Sequence, residues 1–130
     1  MMEKYNMKAK NLFVLDEKDD KAVQLFTNLG MPRNLAKTIM YLSQIDECRS
    51  ADVEQVANLR QPEVSVAMQE LRRRGWVAKQ DIKGKGKGRP VHVYKSMVQL
   101  SEIMKNIEQE KLGEFETVEN NISELKNIIG

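Results

Sequence analysis

The stretch "PEVSVAMQELRRRGWVAKQDIK", residues 62–83, changes its hydrophobic period part-way along. Up to Leu71 the apolar residues Val64, Ala67, Met68 and Leu71 recur at helical steps, as in a helix with one buried face. Pro62 suits a first helical turn, where its missing N–H is not needed. Gly75 suits a left-handed stop. Beyond it, "WVAKQDIK" is rich in β-branched and aromatic residues and roughly alternates, which predicts a strand. A helix that ends in Arg72, Arg73 and Arg74 and hands over to a strand therefore organises the rest of the chain.

Downstream, "VHVYK" (91–95) predicts a second strand, and the glycine-rich "KGKGKGRP" (83–90) between the two makes them a hairpin with a long tip. Upstream, "SADVEQVANL" predicts a short helix from Ser50, with Asp52 in the favourable N-terminal turn. "RQ" turns the chain into the next helix. "MPRNLAKTIMYLSQI" predicts a helix with Pro32 in its first turn and a stripe of Leu35, Ile39, Leu42 and Ile45. The intervening "DECR" reads as a polar break that holds Cys48. "DKAVQLFTNLG" predicts the first helix, capped by Asp19 or Asp20, with Ala22, Leu25, Phe26 and Leu29 on one face and Gly30 as its stop.

From Met97 to Ile129 the pattern is helical again. Met97, Leu100, Met104 and Ile107 form one seam; Phe115, Val118, Ile122, Leu125 and Ile129 form another, displaced by four residues, with Gly113 at the junction. That is either a stutter in one long helix or a break between two. The order of elements is a winged helix-turn-helix with an added C-terminal helix: mainly α, with a small β-hairpin. The expected organisation is an N-terminal arm (1–18), a winged helix-turn-helix DNA-binding domain (19–96) and a C-terminal helical dimerisation segment (97–130).

The run from Leu29 to Val77 resembles the DNA-binding domain of archaeal TrmB-like and MarR-like transcriptional regulators. The resemblance rests on the Leu29-Gly30 start, the Ser50-led helix, Val64-Ser65 in the recognition helix, and the exit from Leu71 through Gly75-Trp76-Val77. Gly88 to Lys95 resembles the second wing strand. It implies a winged-helix fold and double-stranded DNA as the partner.

Charge is distributed unevenly in a way that suits that partner. The whole chain carries only +2, yet residues 72–89 hold eight basic side chains against Asp81 alone, a local +7. Residues 97–130 hold three lysines and seven glutamates, a local −4. A confined basic patch is the footprint of a polyanion-binding surface. With the apolar stripe of the 62–74 helix turned inward, Gln61, Ser65, Val66 and Gln69 face outward as candidate base contacts in the major groove. The two glutamines match adenine's N6/N7 edge, and Val66 matches a thymine methyl. Glu63 falls at the margin of that face. Arg60, Arg72 and Arg73 are candidate phosphate contacts, which fix register without reading sequence. Lys83, Lys85, Lys87 and Arg89 make the hairpin tip a wing contact, with glycines that let the backbone approach the duplex closely. No helix opens from this glycine stretch and no Gly-Lys-Ser/Thr ends it, so it does not read as a nucleotide-binding loop.

One winged helix spans few base pairs, and the C-terminal seams have little of their own domain left to cover. Leu100, Met104, Ile107, Phe115, Val118, Ile122 and Leu125 are therefore candidates for a homodimer interface, with Phe26 and Leu29 of the first helix at the same surface. A two-fold dimer would set the recognition helices about one DNA turn apart on an inverted repeat. A repressor is expected, since no additional activation surface is evident. Two alternatives stay open: a winged-helix protein-interaction subunit of a transcription-related complex, and a MarR-like regulator responsive to a small molecule or to redox state. Catalysis is not expected, because no carboxylate pair or nucleophile–base set appears. Cys48 and His92 are too few for a typical zinc site, and neither metal nor cofactor is expected. A single cysteine suits a reducing compartment, and no apolar run approaches a membrane span, so a cytoplasmic location is expected.

Overall fold

The computed structural model describes residues 14–82 and 91–130. The chain divides into two compact units, Met1–Met97 and Val98–Gly130.

The first unit is built around α2 (Arg33–Leu42), which is buried on nearly every side through Leu35, Ala36, Thr38, Ile39, Met40, Tyr41 and Leu42. Thr38 tolerates full burial because its hydroxyl donates to the Asn34 carbonyl at 2.8 Å. Pro32 stands at the N-cap, and Ile45, expected in the stripe, lies past the helix end and is only half-buried.

Helix α1 (Glu17–Asn28) starts earlier than its aspartates suggest. Asp16 is the cap, its carboxylate accepting from the Asp19 N–H while the Asp19 carboxylate accepts from the Asp16 N–H, both at 2.9 Å. The buried stripe is Asp19, Val23 and Phe26; Leu25 and Leu29 are 50% and 41% exposed, so they do not share the buried face with Phe26. The reason is that a polar residue takes a place on the inward face. Asp19 also accepts from the Gln44 side-chain amide at 3.0 Å, so its burial is compensated, and a hydrophobic pattern cannot reveal that. Phe26 is spent on this core and is not available to a second copy, which corrects its place among the interface residues.

Residues 47–49 are not a loop. Glu47–Arg49 forms β1, which adds a third strand to the expected hairpin. Strand β2 (Val77–Ile82) and strand β3 (Val91–Ser96) pair antiparallel, and β1 pairs antiparallel with the other edge of β3, giving the order β1-β3-β2. Cys48 faces Tyr94 across β1 and β3 and is 1% exposed, packed into the core. Three residues are too few to show an alternating pattern, and the long-range partner, β3, supplies the strand.

The turn between α3 (Ser50–Ala57) and α4 (Gln61–Arg73) has three devices. Asn58 takes the left-handed conformation at φ 56°, which asparagine tolerates better than most residues. Leu59 is buried and its N–H donates to the Glu54 carbonyl at 3.0 Å. Glu63 accepts from the Arg60 N–H at 2.8 Å, and Asp52 does the same for Arg49 at 2.9 Å, so each helix has an acid closing its first turn. Val64, Ala67, Met68 and Leu71 are all buried, as their spacing predicts. Gly75 then stands at φ +78°, the Trp76 N–H donates to the Leu71 carbonyl at 3.0 Å, and the chain enters β2.

The second unit is one helix, α5 (Leu100–Ile129), of 30 residues. It runs through Gly113 without a break, so the displaced seams belong to one continuous helix. Its length is about 45 Å at a rise of about 1.5 Å per residue. Among the described residues no helix is long and apolar enough to cross a membrane.

Candidate nucleic-acid interface

The fold presents one side of α4 to solvent by locking the other side down. Val64 and Leu71 are 0% exposed and Met68 is 1% exposed, which fixes the rotation of the helix about its axis. Gln61, Ser65, Val66, Gln69, Arg72 and Arg73 are then all exposed, Val66 to 66%. These are the outward residues that the spacing selects. Glu63 is half-buried beside Arg60, and its hydrogen bond to the Arg60 backbone keeps it at the helix start instead of on the outer face. Arg60 itself extends into solvent, 89% exposed, with a loose 3.9 Å contact to Glu63.

The three arginines at the end of α4 are not equivalent. Glu70 accepts from two guanidinium nitrogens of Arg73, Nε at 2.9 Å and Nη2 at 2.6 Å, and from Arg74 Nε at 2.7 Å. These bonds, Arg73 first and Arg74 second, hold the Glu70 carboxyl down at about 2. Arg74 is further held over the Trp76 ring, 5.0 Å from its centroid. Among the described residues Arg72 has no carboxylate partner and is exposed. Its charge lies near enough to Tyr94 to oppose the upward shift that burial imposes on that phenol. The local charge of the helix end is therefore smaller than the sequence "RRR" suggests, and Arg72 carries most of it outward.

The wing is a register-matched pair of strands. Asp81 stands opposite His92, and Nδ1 of the imidazole lies 2.5 Å from the Asp81 carboxylate on an exposed surface. The only acid in the basic 72–89 sequence thus has an immediate side-chain partner across the ribbon. Lys79 is exposed on the same ribbon, opposite Tyr94. Lys83, Lys85, Lys87 and Arg89 lie outside the described residues.

A groove of about 540 Å³ opens on the flank of α4, walled by Pro32, Leu35, Pro62, Val66 and Ala67 and edged by Glu70. Val66 belongs to both this groove and the outward face. Along α5, Leu100 is half-buried and Met104 is 42% exposed, whereas Ile107 is 5% exposed, so it, like Phe26, is not available to a second copy. Phe115, Val118, Ile122 and Leu125 are 47–60% exposed, which is high for residues of this size. Sequence reasoning missed the Glu70 clamp, the Asp81–His92 pair and strand β1. The spacing of Glu70 from Arg73 and Arg74 (three and four residues) was the available signal for the first. Among the described residues no group of three metal-ligating side chains occurs.

A buried three-helix core, a left-handed turn into an outward-facing α4 and a two-stranded ribbon after it define a winged helix-turn-helix protein. The solved structure of TrmBL2, an archaeal chromatin protein whose structure is described as showing a novel mode of DNA binding, shares this fold. It aligns at a TM-score of 0.67 and 15% identity over 85% of this chain and 40% of that one. The chain thus spans about 40% of the length of TrmBL2. A transcriptional regulator homologue from Pyrococcus horikoshii OT3 aligns over 78% of this chain and 97% of that one, at 18% identity and a TM-score of 0.49. A Staphylococcus aureus MepR mutant aligns over 88% of this chain and 91% of that one, at 16% identity and a TM-score of 0.44. No family model matches the chain, and no curated protein matches it.

Proposed function

We propose that this protein is a sequence-specific double-stranded DNA-binding transcription regulator, a homodimeric repressor that reads an inverted repeat. The observation that carries this is the outer face of α4. Four side chains able to meet base edges or a thymine methyl, Gln61, Ser65, Val66 and Gln69, are exposed together on a helix whose opposite face is fully buried. Arg60 at its start and Arg72 at its end flank them and would meet phosphates on either side of the groove. The wing residues Lys83, Lys85, Lys87 and Arg89 add backbone or minor-groove contact. DNA binding by the TrmBL2 chain, on the same fold, agrees with this assignment.

A protein-interaction winged helix would not need this combination of amide-bearing outer face and localised positive charge. The test is competition: labelled duplex from the region upstream of the gene, challenged with unlabelled random duplex, at two salt concentrations. The proposal expects binding to both at low salt and retention of the upstream duplex at higher salt. Absence of binding to either at low salt would refute it. Replacing Gln69 by alanine should alter which sequences are preferred, while replacing Arg72 should weaken all of them alike.

A further inference from the structure

The second unit leaves an apolar face open along the distal half of α5. Leu112, Phe115, Val118, Ile122, Leu125 and Ile129 are 47–80% exposed. Phe115, Val118, Ile122, Leu125 and Ile129 follow alternating three- and four-residue steps, the a/d spacing of a coiled-coil seam. The flanks of that seam decide which way a second copy lies on it. With Phe115 at position a, Glu114 occupies g, and Glu119 and Lys126 occupy successive e positions.

In a parallel pair, g of one helix meets the following e of the other, so Glu114 would face Glu119 of the second copy, and the reverse contact repeats it. Segment 108–119 holds Glu108, Glu110, Glu114, Glu116 and Glu119 against Lys111 alone, whereas segment 120–130 holds Glu124 and Lys126. Parallel packing therefore sets a net −4 segment against its twin. Lys111 lies 3.1 Å from Glu114 and offsets only part of that. In an antiparallel pair, e meets e, so Glu119 faces Lys126 of the second copy in both directions, and the two acidic segments are carried to opposite ends of the pair, with Glu116 and Glu119 alongside residues 125–130. The seam itself permits either direction, because its spacing is close to symmetric about Ile122.

We infer that the distal half of α5 pairs antiparallel with a second copy of this chain, centred near Ile122. This rests on the dimer proposed above and adds its direction. It also alters one expectation. The first turns of the two α5 helices would be held about 60–70 Å apart at a rise of about 1.5 Å per residue. The winged helices would then hang from points separated by nearly two turns of duplex, at about 34–36 Å each, instead of one.

The orientation is read by a single spin label at Glu110→Cys in the full chain, with Cys48→Ala to remove the native thiol and the mass measured in parallel. Antiparallel pairing predicts a label-to-label distance of about 30–40 Å, from 20 to 27 residues at about 1.5 Å each. A dimer with a distance under about 20 Å would overturn the orientation and leave the dimer standing. A monomeric mass at the labelling concentration would overturn both. Lys126→Glu supplies an independent arm. It places Glu119 against a glutamate only in the antiparallel pair and should weaken self-association several-fold, with recovery in the Glu119→Lys, Lys126→Glu double variant. Unchanged association in the single variant would also refute the orientation.

Discussion

Glu70→Gln should strengthen DNA binding, although it removes a group engaged in two ion pairs. The glutamate holds Arg73 and Arg74 at 2.6 Å and 2.7 Å. Arg74 is 26% exposed and stays stacked on Trp76, so it gains little freedom. Arg73 is 69% exposed, so weakening its ion pair with Glu70 raises the share of its charge that a phosphate can draw on. One additional phosphate contact steepens the log–log salt dependence by roughly 0.9 per subunit, which corresponds to about 8-fold tighter binding at 0.1 M salt. The cost to the fold is small, since partly exposed ion pairs contribute about 0–1 kcal/mol. Fluorescence anisotropy of a labelled duplex across a salt series measures both quantities. Arg73→Ala in the same background should return the slope to its original value. An unchanged slope, or weaker binding with a native thermal transition, would mean that Glu70 positions Arg73 for contact instead of withholding it, and the proposed charge inventory of the helix end would be wrong.

Other expected outcomes concern the same elements. Because the folded Glu70 value is about 2 against an ordinary 4.5, its share of stability is complete above 4.5 and lost as the pH falls toward 2; Glu70→Gln should flatten that acid limb in pH-dependent urea unfolding. Leu71→Ala empties a fully buried site behind the recognition face and should cost about 2–5 kcal/mol by urea denaturation; a cost under about 1 kcal/mol would contradict its central place in the core. Asn58→Gly should preserve or slightly raise stability and Asn58→Val should lower it by about 1–2 kcal/mol, because only the latter meets a steric penalty in the left-handed conformation. Cys48 should resist thiol reagents in the native state and react on unfolding, since it is 1% exposed in the middle of β1; rapid native-state modification would move β1 out of the core.

The elements that carry the proposed interface were legible because local pattern decides them. Val64, Ala67, Met68 and Leu71 recur at helical spacing between a proline and a glycine, so both the α4 helix and its outward residues follow from sequence alone. The change of period after Gly75 likewise announces β2. What escaped depends on partners distant in the chain or on polar groups inside the core. Strand β1 exists because Cys48 and Arg49 pair with Tyr94 and Val93, forty-odd residues away. The start of α1 moved because two aspartates cap each other and one of them is buried against Gln44. Net charge counted along "RRR" overstated the outward field, because Glu70 neutralises its neighbours only once the helix brings three- and four-residue steps onto one side.

The proposed function rests on a division of labour. The locked inner face of α4 fixes which side chains would enter a groove, and the basic residues around it would supply attraction that does not depend on sequence. The most direct check is the salt dependence of binding by the unmodified protein to random-sequence duplex. If Arg60, Arg72 and the wing residues make about five or six phosphate contacts, the log–log slope should be roughly −4.5 to −5.4 per subunit. A slope near zero, or no binding at about 50 mM salt, would contradict the assignment of this surface to DNA.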